Sequence, residues 1–71
     1  MDDPIALIIE DHIEIAEMYA IAIQMLKYQT EIIVDGQAAL ERLREIVPDI
    51  VVLDMNLPSV SGHYIYKQMR S

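Results

Sequence analysis

Apolar residues recur along this chain in two rhythms. Ile5 to Ile9 reads Ile-Ala-Leu-Ile-Ile, an unbroken apolar run too short for a helix and closed abruptly by Glu10-Asp11. Such a run predicts a strand buried on both faces. Glu31 to Val34, ending at the turn pair Asp35-Gly36, and Asp49 to Leu53, starting after Pro48 and ending at Asp54, predict two more strands. Between them the spacing lengthens. From Ile13 to Lys27, Ala16, Ala20, Ile23 and Leu26 form a stripe at three- and four-residue intervals, with Glu14, Glu17 and Gln24 opposite. From Gln37 to Val47, Ala39, Leu40, Leu43, Ile46 and Val47 repeat the pattern, with Glu41, Arg42, Arg44 and Glu45 toward water. A loop, Met55 to Ser61, leads to a last helical stretch in which Ile65 and Met69 stand four apart and Tyr64 and Tyr66 flank Ile65, so that at least one tyrosine points outward.

The order strand, helix, strand, helix, strand, loop, helix, with short connections, implies parallel strands joined by right-handed crossovers. The fold class is therefore α/β, a doubly wound parallel sheet with helices on its faces; in a strand order 2-1-3 the third strand lies beside the first. All 71 residues fit one small domain. In such sheets ligands bind beyond the carboxyl ends of the strands, where the strand order reverses. Glu10 and Asp11 end the first strand and Asp54 ends the third, so three carboxylates are predicted to converge on one rim.

That convergence needs a reason. At an effective dielectric near 20 and a separation of about 5 Å, each pair of charges repels by roughly 3 kcal/mol. A domain this small buries only about 60% of its unfolded surface and has little stability to spare. One acidic residue at a strand end is ordinarily a solvated loop residue or a helix cap; three at one rim point to a hard divalent ion. Carboxylates, a backbone carbonyl and retained waters suit magnesium, which favours sites that also receive phosphate. Asp54 then stands as a nucleophile toward phosphorus.

Composition narrows the alternatives. With 54% apolar residues the chain packs, despite a net charge of −7. Five basic residues without a cluster argue against direct binding to nucleic acid or an anionic membrane. No cysteine means no disulfide framework or thiolate chemistry. The acidic start, Met1-Asp2-Asp3-Pro4, is unlike a signal peptide, and no apolar run approaches a membrane span, so a cytoplasmic protein is expected.

The motifs then resemble a known family. Leu7-Ile8-Ile9-Glu10-Asp11, Asp35-Gly36-Gln37-Ala38-Ala39-Leu40, and above all Pro48-Asp49-Ile50-Val51-Val52-Leu53-Asp54-Met55-Asn56-Leu57-Pro58 with Gly62 eight residues after the aspartate resemble the receiver domain of two-component response regulators. The resemblance covers nearly the whole chain and implies a flavodoxin-like receiver fold. It further implies that Asp54 is phosphorylated by a histidine kinase or histidine phosphotransfer protein, that Asp11 and Asp54 ligate magnesium directly, that Glu10 acts through water, and that Asn56 offers its backbone carbonyl. Pro58 and Gly62 would shape the loop.

Departures matter too. Glu10 stands where an aspartate is more usual, lengthening the arm and retuning the metal site, and Ser61 replaces a common acidic residue. The family continues through two further β/α units carrying a hydroxyl residue and a lysine that grip the phosphoryl group; these 71 residues hold no counterpart. The chain is thus expected to be a receiver truncated after its third β/α unit, whose third strand offers an open edge for self-association.

Two other functions compete: an assembly fragment without phosphorylation, and a magnesium-dependent phosphohydrolase. The second wants another aspartate two residues after Asp54, where Asn56 stands. His12 and His63 are read as solvated, without a role, and Met18, Met25 and Met69 as packing residues. Ile13, Met18, Ile21 and Met25 spread apolar surface beyond the stripe of the first helix, near where receiver domains dock their kinases.

Overall fold

The computed structural model describes residues 3–70. Met1 and Asp2, half of the acidic start, and Ser71, the predicted point of truncation, lie outside the described residues. Three parallel strands, β1 (Ile5–Ile9), β2 (Gln29–Ile33) and β3 (Ile50–Leu53), form one sheet in the order β2-β1-β3. Helices α1 (Ile13–Gln24), α2 (Gly36–Glu45) and α3 (Gly62–Arg70) follow the strands in turn. This is the predicted doubly wound order.

The central strand reads as it does because both its faces are covered. Ala6, Leu7, Ile8 and Ile9 are fully buried. Ile8 packs with Ala16 and Ala20 of α1, backed by Ile23, Ile32 and Val52. Its neighbour Ile9 points the other way, into a cluster with Ala39 and Leu40 of α2, Leu57, and Ile65 of α3. Alternate residues of one strand thus hold helices on opposite sides of the sheet.

Register fixes where the strands end. Ile9 lies opposite Ile33 of β2 and Leu53 of β3, so Glu10 and Asp54 take the next step of the same ladder. The Glu10 N–H donates to the Ile33 carbonyl at 3.1 Å, and the Asp54 N–H to the Ile9 carbonyl at 2.9 Å. At the opposite end, Asp49 both donates its N–H to the Ile5 carbonyl and accepts the Ile5 N–H on its side chain, each at 2.8 Å. β3 is clamped to β1 at both ends.

Several boundaries differ from the periodicity. β2 starts at Gln29, not Glu31, because the Pro4 carbonyl captures the Gln29 N–H at 2.8 Å and extends the ladder. α1 stops at Gln24, and Lys27 turns the chain with φ 70°, so Leu26 leaves the stripe and is 67% exposed. α2 stops at Glu45. Ile46 is already extended and Val47, before Pro48, is 96% exposed. Arg42 does not simply face water: it pairs with Glu31 of β2 at 2.8 Å and Glu45 at 3.3 Å. Met18 and Met25 are exposed, not packed, while Met69 is 40% exposed and lines a cavity with Leu40, Leu43 and Val51. Tyr64 and Tyr66 both point outward around the buried Ile65, and Arg70 donates to the Tyr66 hydroxyl at 2.7 Å.

No helix among the described residues is long and apolar enough to cross a membrane. The outer edge of β3 pairs with no strand among them.

Candidate metal centre

The ladder delivers Glu10, Asp11 and Asp54 to one rim, as the strand ends predict. One ligand atom from each of Glu10, Asp11, His12 and Asp54 lies within 4.8 Å of all the others. Glu10 is 8% exposed, the single buried charged residue among those described. Its Oε2, together with Asp11 Oδ1, is buried without a hydrogen-bond partner.

These two oxygens decide how well a cation fits. A buried acceptor left without a donor costs about 1–3 kcal/mol, and more if charged. Hard oxygen donors in this number suit a small divalent ion that keeps water in its remaining positions. The donor set therefore fits magnesium.

Electrostatics divides the carboxyls. Burial, followed by the adjacent carboxyls of Asp54 and Asp11, pushes Glu10 above the ordinary glutamate range. Asp54 moves the other way, held below the usual aspartate range chiefly by the Asn56 N–H, which donates to Asp54 Oδ1 at 2.9 Å. Asp54 is accordingly ionised and restrained in rotation. Asn56 meets the site through its main-chain nitrogen, on Asp54, whereas the resemblance assigned it a ligating carbonyl.

The loop from Asp54 to α3 is held by close approaches. A Cβ on Gly62 would meet the Asp54 carbonyl oxygen and, at 2.5 Å, the Met55 Cα. Gly62 is needed for contact with the site's backbone, not for a left-handed turn. Ser61, in place of the usual acidic residue, accepts the Tyr64 N–H on its hydroxyl at 3.2 Å and starts α3.

Two groups escaped the sequence reading. Asp35, read as a turn residue, caps α2 by accepting the Ala38 N–H at 3.0 Å, and also accepts the Ser59 hydroxyl at 2.9 Å. No periodicity signals a bond spanning 24 positions. His12, read as solvated, has a side chain 70% exposed yet stands with Nδ1 3.4 Å from Asp11 Oδ1 and 3.6 Å from Glu10 Oε2. Its position directly after Asp11 was the available signal. His63 is exposed and outside the cluster.

Comparison with known proteins agrees with this geometry. Residues 6–71 match the family model described as the response regulator receiver domain. The DNA-binding response regulator MtrA of Mycobacterium tuberculosis is 35% identical over 65 residues, 92% of this chain and 28% of that protein. The structure of a CheY-like response regulator receiver domain from Methylobacillus flagellatus superposes with a TM-score of 0.88 at 34% identity, covering 99% of this chain and 59% of that one. A signal receiver domain from Vibrio parahaemolyticus gives a TM-score of 0.89 at 23% identity, which shows the fold alone. The chain spans under a third of the length of MtrA.

Proposed function

The chain belongs to the response regulator receiver domain family, and from that premise we propose that it is a phosphoacceptor module of two-component signalling. Asp54 takes a phosphoryl group from a phosphohistidine on a histidine kinase or histidine phosphotransfer protein, with magnesium held beside it. One observation carries this reading: three carboxylates meet at adjacent strand ends, and two of their buried oxygens lack a donor.

Asp11 and Asp54 would hold the ion directly, Glu10 through water, and Asn56 by its carbonyl. Magnesium, when bound, neutralises charge on the phosphoryl oxygens. The Asn56 N–H limits the rotation of the Asp54 carboxylate, which as an aspartate is ionised, and so able to attack, at neutral pH. An Asp54 oxygen forms a bond to phosphorus while the phosphorus–nitrogen bond to the donor imidazole breaks, the electron pair returning to that ring.

The partner's histidine must reach this rim. α1 begins beside it and exposes Ile13, Met18 and Ile21 to solvent, with Met25 exposed just past its end, an apolar surface suited to a kinase or phosphotransfer helix. This is a switch, not an enzyme that turns over metabolites. Incubation with acetyl phosphate and magnesium should add one phosphate mass to the protein, and EDTA should prevent it. Continuous release of phosphate from assorted esters, with no phosphorylated protein, would contradict the reading.

A further inference from the structure

We infer that His12 is a fourth protein donor to the rim, through Nδ1, and that it gives the site a preference for divalent ions that accept imidazole, manganese and cobalt among them, over magnesium. This rests on the reading of the cluster as a cation site.

Three observations support it. His12 Nδ1 faces Asp11 Oδ1 and Glu10 Oε2, the two buried oxygens without a hydrogen-bond partner. Its distances to them, 3.4 and 3.6 Å, are longer than a hydrogen bond of about 2.7–3.2 Å. The separation from Asp11 Oδ1, 3.4 Å, falls within the span of about 3.0–3.5 Å between two donors sharing one ion at bond lengths near 2.1–2.3 Å. Finally, His12 sits at the N-cap of α1, yet its side chain caps nothing. Serine, threonine, aspartate or asparagine would bond the helix there; the imidazole instead stands over the carboxylates.

Donor chemistry sets the consequence. A site of oxygens alone suits magnesium, calcium and manganese, whereas an added imidazole raises affinity along the series toward cobalt and nickel. Magnesium, which demands hard oxygen donors, gains little from the ring.

The test uses manganese and cobalt as probes on the intact chain. Electron spin-echo envelope modulation of the manganese-loaded protein should show nitrogen coupling from one imidazole. His12→Ala should abolish it and lower cobalt affinity about tenfold or more, while magnesium affinity changes less than about twofold. His12→Asn, which restores a helix cap without an imidazole, should behave as His12→Ala does, separating ligation from helix stability. Manganese bound to the native protein without nitrogen coupling would overturn the assignment and leave the ring a counter-ion to the carboxylates. So would an unchanged cobalt-to-magnesium affinity ratio in both variants. If neither manganese nor magnesium bound, the cation site itself would fall, and His12 with it.

Discussion

The main-chain N–H of Asn56 donates to the carboxylate of Asp54 across 2.9 Å, while Glu10, one strand over in register, lies buried with an oxygen that has no donor. Two carboxyls that meet at one rim are thereby driven apart in acidity: Asp54 down, Glu10 up.

Stability should follow both shifts. Asp54 is depressed, so its contribution is present above the ordinary aspartate pKa and is lost as pH falls through the lowered one. Glu10 is raised, so its contribution is complete below the ordinary glutamate pKa and is lost as pH rises through the raised one. Without metal, the melting temperature should therefore peak in mildly acidic solution and decline toward neutrality. Glu10→Gln removes that decline and raises Tm at neutral pH by about 5 °C. Superimposable melting profiles for the two proteins in EDTA would count against a strained Glu10.

Gly62 seals the loop against the site. Any side chain there collides with the Asp54 carbonyl and the Met55 Cα, backbone atoms that cannot swing aside. Gly62→Ala should destabilise by about 1–3 kcal/mol or more and displace Asp54 enough to weaken cation binding. Denaturant unfolding and metal titration measure the two effects; a fully stable alanine variant with native affinity would refute the contact.

Asp35 ties α2 to the same loop. Its carboxylate is held below the usual aspartate range by the Ala38 N–H, then by the Ser59 hydroxyl. Its contribution is thus present above the ordinary aspartate pKa and lost as pH falls through the lowered one. Asp35→Ala should lower Tm by about 4–8 °C at neutral pH, and Asp35→Asn, which still caps a helix, by clearly less. Equal losses would mean that the cap is not what Asp35 supplies.

The open edge of β3 carries Ile50–Leu53, half-buried, with exposed Val47 and Met55 at its ends. Unpaired strand edges are templates for pairing, so the 71-residue polypeptide should associate with a second copy at high concentration. Salt should promote this by screening the net charge of −7. Light scattering that gives a monomer at every concentration and ionic strength would contradict it.

What could be read from residues alone was whatever local pattern controls. Ile5 to Ile9 is apolar throughout because helices cover both sides of β1, and that made its ends, and so Glu10, Asp11 and Asp54, easy to place. Helix ends were less legible. Leu26 and Val47 continue an apolar stripe past the point where the backbone has left the helix, through the positive φ of Lys27 in one case and the approach to Pro48 in the other. The proline was a usable signal; the lysine was not. The Asp35–Ser59 bond and the approach of His12 to the carboxylates are tertiary events that no periodicity reports.

The most direct test of the whole reading is to locate the phosphate. After treatment with acetyl phosphate and magnesium, reductive trapping of the acyl phosphate and mass spectrometric sequencing should map the modification to Asp54, and Asp54→Asn should take up none. Phosphate that persists in Asp54→Asn, or that maps to another residue of the native chain, would contradict the account.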